Sequence, residues 1–244
     1  MTFPDLTEAE QVLWRSAARG GWADFRTGTA AGDAIDGPVA TAPVIRAEVI
    51  RALLLGGGER ESGSVPAVRL RGARIAGRLD LMGATVPMPL VCEDCHFDEQ
   101  PRLVEAVTRT VRIVKSFMPG FNGTRMRLQG ILNLWDCVVP GMVRLDQAKI
   151  TGFLTLGAAT IGTPGETAQA VAADGLSVDG GVELRGLTAS GLVSMEVAAI
   201  SGSVDLTGAR IANPGRRALS FSQAQIGGQL TARRVVVTGE TRMH

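Results

Sequence analysis

The sequence predicts an all-β solenoid, a four-sided β-helix closed at its N-terminal end by a small helical cap, and three periodic observations predict it. The first is an eleven-residue phrase. From Gly191 to Ile211 the chain reads GLVSMEVAAIS and then GSVDLTGARI, and the apolar triple Val204, Leu206, Ile211 sets a ruler. Equivalent triples fall at Val68, Leu70, Ile75; at Leu79, Leu81, Val86; at Leu90, Cys92, Phe97; and again at Leu132, Leu134, Val139 and Leu154, Leu156, Ile161. The second observation is a small residue two places before the last member of most triples, among them Ala73, Ala84, Cys95, Cys137, Ala148, Ala159, Ala198 and Ala209. The third is glycine two places before the first member, as at Gly77, Gly130, Gly141, Gly152, Gly180, Gly191, Gly202 and Gly228. Glycine at a fixed phase marks a corner.

An amphipathic helix also recurs near eleven residues, but the local texture decides. Each unit alternates apolar and polar over a few residues and then breaks at glycine, which suits short strands and would weaken a helix repeatedly. Val-x-Leu and Ala-x-Ile read as two short strands joined by a bend. Repeats this short bury their inward side chains only by stacking on neighbours, so two units make one coil of about 22 residues.

The run RLRGARIAGRLDLMGATV at 69–86, with its central aliphatics and preceding small residues, resembles the pentapeptide-repeat proteins. Those are right-handed quadrilateral β-helices, so the resemblance implies the handedness here. Faces in this chain alternate between five and six residues, and the polar residue usual beside the central one is mostly missing. The chain is more similar still to a group of actinobacterial β-helix proteins carrying runs of this kind, some of them labelled oxidoreductase. The resemblance covers most of the chain. It implies two further expectations: dimerisation through C-terminal coils, and the DNA-mimic role on topoisomerase of some pentapeptide-repeat proteins, which wants an acidic face.

Composition agrees with one soluble solenoid plus a cap. The chain has 31 glycines, 4% aromatic residues and a net charge of +1, so no global polyanion-attracting field is built in. No apolar run approaches membrane-spanning length and the start, MTFPDLTEAEQ, is acidic rather than a signal peptide, which predicts a cytoplasmic protein that does not engage membrane.

Residues 1–62 lack the ruler and read as the cap. Thr7 with Glu10 forms a capping-box pattern opening a helix through Leu13, Trp14 and Ala18, ended by Gly20 and Gly21. Trp22 and Phe25 precede a loop, RTGTAAGDAIDG, and Pro43 to Leu55 reads as a second helix closed by Gly56. Trp14, Trp22, Arg15 and Arg26 fit a lid over the first coil better than a binding face. The glycine-rich GGGERESG at 56–63 has no preceding strand to make it a nucleotide loop. Residues 63–244 read as the solenoid, with insertions near 98–110, 162–170 (TPGET) and 212–216 (NPG).

The chemistry-bearing candidates are few. Cys92-Glu93-Asp94-Cys95-His96 matches the c-type haem attachment pattern, but the ruler places Cys92 with Leu70 and Leu81, and Cys95 and Cys137 in the small-residue column. That predicts three core thiols. Apart from His96, the terminal His244 is the other histidine and there is no tyrosine, so neither a zinc set nor a Ser-His-Asp arrangement assembles, and no cofactor or metal is expected. The outward acids Asp80, Glu183 and Asp205 share a column but read as well apart along the axis, leaving no acid–base pair. If alternate units share a face, Arg74, His96, Arg127 and Lys149 form a basic stripe, with Arg69 and Arg144 in the neighbouring outward column. The other side carries Thr85, Val138, Thr160 and Thr188. That stripe predicts contact with an anionic partner or ligand. An open last coil near Val237 predicts a homodimer paired across it. Together these predict a non-catalytic binding or scaffold protein acting on protein partners; the alternatives are an enzyme with a groove beside 98–110, as the oxidoreductase label implies, and the DNA mimic.

Overall fold

The computed structural model describes residues 5–26, 42–58 and 61–243. Most of the expected RTGTAAGDAIDG loop, two residues of GGGERESG and His244 lie outside the described residues. From Val68 onward the chain winds into stacked coils about 22 residues apart, each contributing a short parallel strand to four walls. Wall 1 stacks Val68–Arg71, Leu90–Glu93, Val111–Val114, Leu132–Asn133, Leu154–Thr155, Val182–Glu183, Val204–Asp205 and Leu230–Thr231. Wall 2 stacks Arg74–Ala76, His96–Phe97, Val138–Val139, Thr160–Ile161 and Thr188–Ser190, with Phe117 bridging His96 and Val138. Wall 3 begins at Asp80, bridges through Arg102, and continues through Phe121–Asn122, Val143–Arg144, Gln169–Ala172 and Leu192–Ser194. Wall 4 runs from Thr85 through Val107–Thr108, Arg127–Leu128, Lys149–Ile150, Ser177–Val178, Ala199–Ile200 and Gln225–Ile226. Near the C-terminal end the long strand Arg210–Ser220 serves walls 2 and 3 in one piece, paired with Val236–Arg242.

The ruler is the inside of this tube. Leu70, Ile75, Leu79, Leu132, Leu134, Val139, Leu154, Leu156 and Ile161 are fully buried, and the small-residue column sits at corners where Ala73, Cys95, Ser116, Cys137 and Ala159 leave room for the bend. Each buried aliphatic contributes roughly 1.5–3 kcal/mol, available only when coils lie above and below it. Turns between walls 1 and 2 hold a left-handed residue, which is glycine at Gly72, Gly186 and Gly208 but Asp94, Lys115, Asp136, Ala158 and Arg234 elsewhere. Between walls 4 and 1 the glycines form a ladder: Gly152 N–H donates to Gly130 O, Gly180 N–H to Gly152 O and Gly202 N–H to Gly180 O, at 2.8, 3.0 and 2.9 Å. A Cβ at Gly180 would sit at 2.5 Å from the Gly152 carbonyl oxygen, so close backbone approach requires glycine there.

The cap is built from α1 (Glu8–Ala18) and α2 (Ala47–Leu54) and from two strands that extend the walls. Thr7 and Glu10 form the expected capping box. Ala23–Asp24 pairs with Leu70–Arg71 in wall 1, and Val44–Arg46 pairs with Arg74–Ala76 in wall 2. The second helix therefore starts later than its apolar pattern suggests. The open edge of wall 2 offers Val44–Arg46 a ladder, and two β-branched residues accept it.

The expected extrusion at 98–110 is corrected by the structure, because that stretch is wall. Asp80, Arg102 and Asn122 bridge in succession, as do Thr85, Val107 and Arg127. Inside, Leu103, Ala106 and Thr108 are buried in the places that Leu81, Ala84 and Val86 take one coil earlier. The unit was masked by Pro101 at its first position and Thr108 at its last, where aliphatics are the rule. The expected insertion at 162–170 forms a loop up to the strand that starts at Gln169. The one at 212–216 is corrected: it is the irregular middle of the strand Arg210–Ser220, where the register shifts between Ala212 and Arg217, and the two segments meet at the corner between walls 2 and 3. Thr163 and Thr167 hydroxyls donate to Pro140 O, and Asn213 Nδ2 donates to Arg217 O at 2.7 Å.

At the other end the final coil is uncovered by any described residue. Leu230 is 37% exposed, and Ala224, Ile226, Val235 and Val237 are only partly buried. No helix among the described residues is long and apolar enough to cross a membrane.

Candidate functional site

The six residues of the expected basic stripe are spread over four walls. Arg69 is half-buried on wall 1, opposite Val91. Arg74 and His96 are register partners on wall 2. Arg144 lies on wall 3, with Asp146 at 3.8 Å. Arg127 and Lys149 are register partners on wall 4. The single stripe is thus a correction, and its cause is the unit at 98–110: counted as a loop rather than wall, it shifts every later unit by half a coil. Val138, Thr160 and Thr188 consequently share wall 2 with Arg74 and His96, while Thr85 shares wall 4 with Arg127 and Lys149.

The wall 2 pair is internally satisfied. Arg74 donates through Nε to Asp98 Oδ1 at 2.8 Å. His96 stacks on Phe117 with centroids 4.4 Å apart and planes 9° from parallel. Burial lowers the His96 pKa, helped by the Arg74 charge against the opposing pull of Asp98, so the ring favours its neutral form. Cation–carboxylate pairs recur from coil to coil elsewhere: Arg71 with Glu93 at 2.9 Å, Arg102 with Asp80 at 3.3 Å and Arg125 with Glu105 at 2.5 Å.

Wall 4 differs. Arg127 and Lys149 are both exposed, lie on adjacent strands about 4.8 Å apart, and have no ion pair among the described residues. Arg109, just beyond the strand Val107–Thr108 of the preceding coil, is likewise exposed and unpaired among the described residues. Sequence reasoning missed Arg109 because it fell in the supposed insertion. Three unneutralised cations on consecutive coils create a local positive field that an anionic group can occupy.

The cap aromatics and arginines are a clamp. The Arg71 guanidinium lies 3.7 Å from the Trp22 ring centre, and Arg26 pairs with Asp24 at 2.7 Å and Asp94 at 3.7 Å. Burial raises the Asp94 pKa, with Glu93 adding to it and Lys115, Arg26 and Arg71 opposing.

The haem-like motif is core, as the ruler expects. Cys92 and Cys95 are buried, with Cys95 Sγ donating to Glu93 O at 3.3 Å, and Cys137 Sγ donates to Ile113 O at 3.2 Å. Cys92 is raised well above an ordinary thiol by its hydrogen bond with Cys95 and by burial, and burial pushes Cys137 up to about 12. Among the described residues no cluster of His, Cys, Asp and Glu is set to hold a metal ion.

One further spacing is revised. Glu183 and Asp205 are register partners on adjacent coils of wall 1 rather than distant, whereas Asp80 stands on wall 3. Asp205 is engaged, accepting from the Thr207 N–H at 2.8 Å with Arg185 at 3.6 Å. No protein-family model, curated protein or solved structure matches the chain.

Proposed function

We propose that this chain is a non-catalytic binding or scaffold protein of the cytoplasm whose wall 4 docks an acidic segment of a protein partner. The observation that carries the reading is the adjacent, exposed pair Arg127 and Lys149, without an ion pair among the described residues and reinforced by Arg109. Like charges side by side on a ladder are unfavourable by some tenths of a kcal/mol, so a bound anion relieves them. The same sign speaks against the topoisomerase-directed DNA mimic, which needs an acidic face. The enzyme alternative drew on a groove beside 98–110, a segment that is wall. Membership of the actinobacterial β-helix group belongs to this proposal as its family background.

We also propose a homodimer through the final coil, where Ile226, Leu230 and Val237 lie open and a twofold copy supplies the missing layer. One experiment tests both parts: affinity capture from the native host, with captured species sized by light scattering, for wild type and for Arg127→Glu/Lys149→Glu. The expected result is a dimer in both proteins and an acidic partner retained by wild type alone. Equal capture by the variant refutes the docking wall, and a monomer at micromolar concentration refutes the dimer.

A further inference from the structure

Wall 1 carries a second surface, independent of the wall 4 cations. On two successive coils its outward positions read Ile131, Asn133, Trp135 and Phe153, Thr155, Gly157, and the next coil adds Glu183 and Arg185. Trp135 is 36% and Phe153 58% exposed, which makes them the two large aromatics open to solvent among the described residues. They stand at opposite edges of the wall, Phe153 just before its strand and Trp135 in the turn just after the strand of the preceding coil.

The tryptophan is held in a built seat. A Cβ at Gly157 would overlap the six-membered part of the Trp135 indole, so the ring occupies the space beside the backbone of the next coil that a side chain would fill. Gly157 has no positive φ that would require glycine. The equivalent places on other coils are taken by Arg71, Glu93, Val114, Arg185 and Thr207. The ring is therefore the reason for that glycine. Phe153 rests in the same way along Gly180 and Gly181, with contacts of 3.3 and 3.6 Å to the Cβ positions there. Each ring is thus seated against backbone on one side while part of it remains open to solvent.

Between the rings lie polar groups with spare hydrogen-bonding capacity. Asn133 uses its Oδ1 to accept the Trp135 N–H at 2.9 Å, and its Nδ2 has no hydrogen-bond acceptor among the described residues. Neither the Thr155 hydroxyl nor the Glu183 carboxylate makes a side-chain hydrogen bond or ion pair among the described residues. Asn133, Thr155 and Glu183 are successive register partners, so donor, hydroxyl and acceptor follow at the coil spacing of about 4.8 Å.

We propose that this part of wall 1 is a binding site for a neutral oligosaccharide. Pyranose rings present C–H faces that stack on flat aromatics and equatorial hydroxyls that both donate and accept. A short β-linked chain laid across the wall stacks one ring on Phe153, crosses Thr155 and Asn133, and stacks another on Trp135. Glu183 accepts from vicinal hydroxyls at the rim and disfavours uronic acids. A protein partner would want a closed apolar patch instead, whereas the aromatics here are separated by polar groups.

The test is native gel electrophoresis in the presence of hydroxyethylcellulose, laminarin, arabinoxylan or the anionic control alginate, followed by titration of tryptophan emission with cellohexaose, laminarihexaose and xylohexaose. Wild type is expected to be retarded by a neutral polysaccharide. Trp135→Ala and Phe153→Ala each weaken binding about tenfold, the value of one aromatic stack, Gly157→Ala weakens it by displacing the ring, and Arg127→Glu/Lys149→Glu leaves it unchanged. Trp135→Phe, which keeps a platform, retains part of the affinity and guards against a folding defect in the alanine variant. Absence of retardation by every neutral polysaccharide overturns the proposal. So does unchanged retardation of the Trp135→Ala/Phe153→Ala double variant, retardation by alginate alone, or a change in that variant's oligomeric mass, which would make the wall an interface between copies.

Discussion

Replacing Glu10 by Gln should loosen the cap by about 3 kcal/mol while leaving the solenoid wound. Glu10 is fully buried in α1, and its carboxylate accepts four hydrogen bonds: from Arg46 N–H at 2.9 Å, Arg46 Nε at 2.8 Å, Arg46 Nη2 at 2.7 Å and Thr7 N–H at 3.0 Å. Burial pushes its pKa up, but those donors together with the Arg46 charge outweigh burial and bring it from 4.5 down to about 2. That depression corresponds to about 3 kcal/mol of stability carried by the ionised form. The folded pKa lies below the unfolded one, so this contribution is fully present above pH 4.5 and is lost as pH falls towards 2. Gln keeps one acceptor oxygen but turns an amide N–H towards donors, and it removes the charge that holds the Arg46 strand against α1. Because stacked repeats open locally, the assay is hydrogen exchange of the α1 amides, read peptide by peptide. Wild type should show constant α1 protection from pH 7 to 4.5, after correction for intrinsic exchange, and falling protection below. Glu10→Gln should start about 3 kcal/mol lower and show no such fall. A variant within about 0.5 kcal/mol of wild type, or one whose protection falls in parallel with it below pH 4.5, would refute the reasoning.

Two further outcomes follow from the coil interior. Gly180→Ala should lower stability by about 1–3 kcal/mol in urea unfolding, because its Cβ meets a stacked backbone carbonyl rather than a movable side chain; an unchanged midpoint would show that the ladder tolerates a methyl group. A thiol reagent at pH 8 should label none of Cys92, Cys95 and Cys137 in the native protein and all of them in denaturant, since each is buried and the Cys92 and Cys137 thiols are held in the protonated form. Rapid native labelling would place at least one thiol outside the core.

The amino-acid sequence by itself determined the tube, because a solenoid writes its interior at a fixed phase. Val204, Leu206 and Ile211 recur as buried positions coil after coil, and each column carries the same steric demand. The same logic placed Cys92 and Cys95 inside despite their haem-like spacing, and the capping box fixed the start of α1. What faces outward was far less legible. Outward residues obey no column rule, and their neighbours are decided by how many half-coils separate them. One masked unit at 98–110 was enough to join Arg74 to Arg127 on paper, when the fold sets them on different walls. Only the tertiary structure brought Arg127 beside Lys149, Glu183 beside Asp205 and the Trp135 ring onto Gly157. It also decided that Val44–Arg46 is a strand, since a strand's partner can lie thirty residues away while a helix carries its hydrogen bonds within itself. Burial repeats with the chain and can be read along it; adjacency between coils depends on the accumulated length of every turn, and a single miscounted unit rotates the surface by half a coil.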